Sequence, residues 1–391
     1  MKCTHSRGAL ATLVLLSTVL TCQPVAAEGW AENAKQYRTR YYVLYSDMDL
    51  PTVREAALRL TRMAQHYHQR TKALGEIRQR LPFYLFSRQA DYIAAGGMAG
   101  SAGQYSGDKL MAWGSGQGVW STMQHEGFHQ FVHRAIGGRM PVWLNEGLAE
   151  YFGHSHWTGD GFVSGVIPAG LKGRLDKQIR RGQLVPFQKM LSMTSAEWLA
   201  KLERKHYDQA WAMVHFLVHA KDRKYRQALG DMIRDISRGA DPVASFRKRI
   251  TRNIDGFEKH FVEWWKALPG TPSAELETEI LVQTLTSYLA RAQLLGLELE
   301  DVDAFFKLAG SGEITSGLES KSELWLPQSL LKQALARARR VKGWQLKVVA
   351  NRPRLILPLD KDRQMVGWYT ISNGNKVGVQ VEVEPVSQPD R

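Results

Sequence analysis

The residues Gln124-His125-Glu126-Gly127-Phe128-His129-Gln130 carry the most specific chemistry in this chain. His125 and His129 are one helical turn apart, so on an α-helix both imidazoles stand on one face and reach a single cation. Glu126, beside them, is placed to act as a base on water held by that cation. Such a short pattern also arises by chance, and its meaning rests on the residues downstream of His129. A hydrolytic zinc site needs three protein ligands and an open fourth position, which two histidines and a carboxylate provide. The candidate third ligand is Glu146, within Pro141-Val142-Trp143-Leu144-Asn145-Glu146-Gly147-Leu148-Ala149-Glu150-Tyr151-Phe152.

For these side chains to meet, one helix must end and the next must return antiparallel to it. Ser121 or Thr122 is suited to cap the first helix, and Gly137-Gly138 to stop it. The loop from His133 to Met140 then turns the chain, and Pro141 opens a second helix over about Val142 to Tyr151. That arrangement points Glu146 at the face holding His125 and His129. Val132 and Ile136 continue the histidine row, with Phe128, Phe131 and Ala135 beside it, as expected of a central and nearly buried helix. The alternative is a buried polar cluster without a metal, which would be costly for so many ionisable groups.

His-Glu-x-x-His, with sixteen residues between His129 and a glutamate set in Trp-Leu-Asn-Glu-Gly-Leu-Ala, resembles the gluzincin metallopeptidases. That group includes thermolysin and the zinc aminopeptidases. The resemblance implies that His125, His129 and Glu146 hold one zinc ion and that Glu126 is the general base. It further implies that Glu150, one turn beyond Glu146, orients the first ligand histidine, with Asn145 as a second supporting residue. A surface carboxylate is the competing reading of Glu150. Tyr207-Asp208-Gln209-Ala210 resembles the Tyr-x-x-Gly/Ala helix start of the aminopeptidases, whose tyrosine hydroxyl donates to the tetrahedral oxyanion. The competing reading of Tyr207 is an ordinary core residue.

With its upstream strands and Leu184-Val185-Pro186, the chain is also similar to an uncharacterised family of bacterial gluzincin-like proteins, over about Tyr41 to Leu268. The metzincin pattern is absent, because no glycine and third histidine follow His129 at the required positions. No Gly-Ala-Met-Glu-Asn segment precedes the motif, which favours an endopeptidase over an aminopeptidase. The resemblance places an extended peptide substrate along an edge strand, for which Gln104, Tyr105, Met111 and Trp113 are the candidates.

The fold class expected is α+β: a gluzincin-like catalytic domain followed by a helical region and a small β unit. The divisions run 1–27 (export signal), 28–118 (a small mixed sheet with one long helix), 119–268 (the helical zinc-binding part), 269–342 (helical) and 343–391 (all-β). Tyr41 to Tyr45 and Pro82 to Phe86 read as strands, with a helix between them carrying Val53, Ala56, Leu60, Met63, Ala64 and Tyr67 at helical spacing. Pro269-Gly270-Thr271-Pro272 marks a boundary. Near the C-terminus Val377, Val379, Val381 and Val383 alternate with polar residues or glycine, and Asn373-Gly374 signals a hairpin.

Lys2 and Arg7, the apolar run Ala9 to Leu20 and the small residues Val25-Ala26-Ala27 have the form of an export signal, cleaved before Glu28. Both cysteines, Cys3 and Cys22, fall within it, so the mature chain would have no disulfide or thiol chemistry. The expectation is an exported, periplasmic protein without a membrane span, acting on a peptide or protein substrate, with envelope-associated substrates among the candidates. The formal charge is +14, or +12 without Lys2 and Arg7. Export argues against a nucleic-acid partner, which leaves solvated basic helix faces or attraction to anionic envelope polymers. A second function class stays open, a non-catalytic envelope-binding or assembly protein with a structural zinc. Retention of Glu126 argues against it, since a structural site needs no base.

Overall fold

The computed structural model describes residues 28–386, apart from 73–76, 78, 201–202, 221–222, 317, 319–323, 351 and 373–375. The expected export segment and the Asn373-Gly374 turn lie outside the described residues. The architecture is α+β. Among the described residues no helix is long and apolar enough to cross a membrane.

Strands β1 (Lys35–Arg38), β2 (Tyr42–Ser46), β3 (Leu81–Phe86), β4 (Gly103–Ser106) and β5 (Lys109–Trp113) form one mixed sheet in the order β1-β2-β3-β5-β4. The β2–β3 and β3–β5 pairs are parallel and the two outer pairs antiparallel. A parallel pair needs a crossover, and the helix Leu50–Arg70 supplies it between β2 and β3. Thr52 N–H donates to Asp49 Oδ1 at 2.8 Å to cap this helix, and the apolar row from Val53 to Tyr67 is buried as its spacing predicts. Strand β1, Lys-Gln-Tyr-Arg, has no apolar alternation to announce it, because it lies on an open sheet edge.

The motif helix spans Gln117–Ile136, starting four residues before the expected cap at Ser121. Gly116 begins it with φ 101°, and Thr122 lies inside, its Oγ1 donating to the Gly118 carbonyl at 3.0 Å. The start is thus set by a glycine conformation and not by a capping side chain. At the other end Gly137, φ 64°, stops the helix as expected. A short 3₁₀ turn, Gly137–Arg139, leads through Pro141 into the partner helix Val142–Gly153. The tyrosine helix, Arg204–His219, packs behind the partner helix. The helices Phe187–Ser192 and Pro242–Arg249 and a small hairpin of β6 (His156–Trp157) and β7 (Phe162–Val163) add to what periodicity shows.

Towards the C-terminus the long helix Ala274–Leu294 carries an antiparallel sheet of β8 (Gln345–Val349), β9 (Arg352–Pro358), β10 (Arg363–Ser372) and β11 (Lys376–Pro385). Gly367 permits their close approach, since a Cβ there would collide with Thr286 Oγ1. The break at Pro269–Pro272 separates helices but not cores. Phe128, Trp143 and Trp211 share one continuous apolar cluster with Leu285, Leu331 and Leu355. Arg291, only 2 % exposed, crosses the same boundary to Asp160 with contacts of 2.8 and 3.0 Å.

Candidate metal centre

The motif helix is fastened on both sides by buried amides. Gln124 Nε2 donates to the carbonyls of Phe152, Gly153 and Ser155 at 3.0–3.1 Å, tying the motif helix to the end of the partner helix. Gln130 Nε2 donates to the Pro82 carbonyl at 3.0 Å, tying it to the sheet. The Tyr67 hydroxyl donates to the Gln124 carbonyl from the crossover helix. Glycines set the spacing: a Cβ on Gly147 would stand 2.6 Å from the Ala210 carbonyl oxygen, and one on Gly153 3.2 Å from His125 Cβ. The glycine after Glu146 is therefore a packing requirement of the helix that bears it.

These contacts bring His125, His129 and Glu146 together. The Nε2 atoms of the two histidines are 3.1 Å apart, and Glu146 Oε2 lies 3.6 Å from His125 Nε2 and 3.5 Å from His129 Nε2. Three donors at bond lengths of 2.0–2.1 Å around a tetrahedral cation would be separated by about 3.3 Å. The observed triangle has that size, and both donor chemistry and spacing fit zinc. Among the described residues this is the group of three or more ligand-type side chains able to hold a metal ion.

The surroundings favour positive charge. Burial pushes the Glu146 carboxyl up, but the His125 and His129 rings outweigh it and hold it at about 2. Burial pushes His125 down, but contact with Glu146 and the nearby Glu150 and Glu126 raise it to about 9. The cluster without metal therefore keeps a proton on His125, which a cation must displace. Glu150 takes its expected place: its Oε1 lies 3.5 Å from His125 Nδ1, while Oε2 faces His154 Nε2 at 3.3 Å. His154, at the end of the partner helix, thus supports the site through Glu150. Asn145 lines the cleft next to Glu146, but its buried Oδ1 has no hydrogen-bond partner, and no bond ties it to the ligands.

Glu126 is held by the sheet. The Tyr105 backbone N–H donates to Glu126 Oε2 at 2.9 Å, and the Tyr105 hydroxyl meets His133 Nδ1 at 2.5 Å. Strand β4 is therefore stitched to the motif helix at one residue, by main chain and side chain together. The expected peptide-binding edge is corrected in two respects. Strand β5 is interior, between β3 and β4, and Met111 is buried with Trp30, Phe86 and Tyr92, so neither Met111 nor its strand faces substrate. On β4 itself, Gly103 N–H donates to Ser101 Oγ at 3.1 Å and its carbonyl accepts from the same hydroxyl, while Tyr105 N–H is taken by Glu126. Gln104 and Trp113 are occupied with the segment before β4, Gln104 bonding Gly96 and Met98 and Trp113 bonding Ser101.

Tyr207 is the fourth residue of its helix, with the Trp198 ring edge-on to its own at 5.1 Å between centroids. Burial raises its hydroxyl pKa, Trp198 acts in the opposite sense, and the charges of Glu146, Glu150 and Glu126 add to the rise, which keeps it protonated. Two hollows open near the triad. One, of about 870 Å³, is lined by Glu150, His154, Arg174, Arg204, Tyr207 and Asp208 among others. The other, of about 340 Å³, is lined by Tyr105, His129, His133, Asn145, Glu146 and Trp198 among others. Of the three candidate ligands, His129 and Glu146 line the smaller hollow and none lines the larger.

Fold and site define an α+β protein with a candidate two-histidine, one-glutamate cation centre open to a cleft. Residues 119–243, from the motif helix through the tyrosine helix, match a family described as "Protein of unknown function (DUF1570)". No curated protein and no solved structure matches the chain.

Proposed function

We propose that this chain is a zinc-dependent hydrolase of peptide bonds, with a gluzincin-like catalytic part. The observation that carries the reading is the triangle of His125, His129 and Glu146, with Glu126 on the same helix and Tyr207 lining the hollow beside Glu150. His125, His129 and Glu146 would hold the ion, which when bound supplies a Lewis acid that acidifies water and polarises a carbonyl. Glu126, oriented through Oε2 by the Tyr105 amide, keeps Oε1 for proton transfer. It accepts the proton of the attacking water and returns it to the leaving amine as the C–N bond breaks. Tyr207 donates a hydrogen bond to the oxyanion that the attack creates. Glu150 holds the His125 ring in orientation, supported by His154.

The absence of a Gly-Ala-Met-Glu-Asn segment before the motif favours an endopeptidase over an aminopeptidase. The N-terminal sequence supports export to the periplasm, which N-terminal sequencing of the fractionated protein tests. For the chemistry, zinc stoichiometry is measured first, and a peptide library is then offered to wild type and Glu126→Gln. The expected result is about one zinc per chain in both, with cleavage by wild type alone. Bound metal without cleavage by either protein would favour a structural zinc in a binding or assembly protein. Absence of metal would end both readings.

A further inference from the structure

The partner helix has a second face, away from the metal ligands, and a separate cavity of about 350 Å³ opens there. Its volume lies within the range of small-molecule sites. Leu148, Phe152, Leu229 and Ile233 line it and are each no more than 5 % exposed, so the floor is deep and apolar. Four cationic side chains join the lining, Arg70, Lys72, Arg226 and Arg234, beside the neutral polar Gln69, Thr71 and Gln227. Arg234 is neutralised by Asp231 at 2.6 Å. The other three are exposed and, among the described residues, have no ion-pair partner. Among the described residues the lining contains no carboxylate. Glu279 also feels Arg70, but it lies outside the lining and burial pushes its pKa up.

Two guanidinium groups from different helices converge here. Burial pushes the Tyr151 hydroxyl up to about 12, and Arg70 and Arg226 both act on it in the opposite sense. Tyr151 is itself part of the lining, and its hydroxyl is bonded to His219 Nε2 at 2.8 Å. A deep apolar floor beneath unpaired cations is complementary to one kind of molecule, a hydrocarbon chain ending in an anionic head.

We propose that this cavity is a binding site for a single-chain amphiphilic anion of the fatty-acid type, its chain on Leu148, Phe152, Leu229 and Ile233 and its carboxylate between Arg70 and Arg226. The site is independent of the metal centre and stands whether or not the chain hydrolyses peptides.

Calorimetric titration of the full chain with dodecanoate, below its micelle concentration, tests this. Dodecanoate should bind saturably at one per chain, whereas acetate and dodecyltrimethylammonium should not. The double variant Arg70→Glu/Arg226→Glu should bind dodecanoate at least about tenfold more weakly, with zinc content and thermal unfolding unchanged. Arg70→Gln/Arg226→Gln, which adds no opposing charge, should lose less. Any of three results would overturn the proposal: no saturable binding to wild type, equal binding of the cationic amphiphile, or undiminished affinity in a folded double variant.

Discussion

Removing one oxygen at Tyr207 separates its packing part from its chemical part. Tyr207→Phe keeps the edge-on contact with Trp198 and loses only the donor, so kcat should fall by about 10²–10³ while KM and unfolding change little. Steady-state kinetics on a peptide found with the wild type checks this, and an unchanged kcat would return Tyr207 to the core. His125, His129 and Glu146 were legible in the sequence because helical spacing alone puts the first two on one face and a short glycine loop returns the third. The partner of Glu126 was not legible. It is a main-chain amide twenty-one residues upstream, delivered by sheet pairing, and no side-chain identity encodes it. Gln124 and Gln130 stood in plain view beside the histidines. Polar residues on a helix whose other faces are apolar are the signal that would have marked them as fasteners.

The antiparallel pair of helices depends on close packing behind Glu146. Gly147→Ala would drive a Cβ to 2.6 Å from the Ala210 carbonyl oxygen, which cannot yield without moving the tyrosine helix. Such overpacking costs about 1–3 kcal/mol, and here it also displaces Glu146 from the two histidines. Urea denaturation should show the loss, and competition with a chelator should show weakened zinc binding in the same variant. Elements with a strong apolar period, such as Leu50–Arg70, fell where their spacing placed them. The motif helix began earlier than expected because Gly116 starts it through its own backbone freedom, which leaves no capping side chain to read.

The helical part and the C-terminal part share one core across the break at Pro269–Pro272. Arg291→Met would leave the buried Asp160 carboxylate with only Arg62, at 3.6 Å. The expected loss is about 3 kcal/mol, seen as a lower denaturation midpoint for the entire chain and not for a separate C-terminal transition. A composition change at a proline-rich stretch reads as a boundary, but which faces are covered from a distance is not written locally. Acid should also weaken the fold. Burial, aided by Arg70 for His66 and by His219 for His215, holds both rings near pKa 3, so each is neutral when folded and gains a proton on unfolding below about 6.5. The contribution of these two rings is therefore flat above that pH and falls below it by about 1.4 kcal/mol per pH unit for each histidine. Urea midpoints between pH 7.5 and 5 measure the slope, and His66→Gln should reduce it by one proton's worth. Strand β4 has a consequence at this scale as well. An open sheet edge is a template on which a neighbouring molecule can grow, yet Ser101 and Glu126 already occupy the outward groups at Gly103 and the outward N–H at Tyr105. The bond that orients Glu126 therefore also guards this edge against polymerisation.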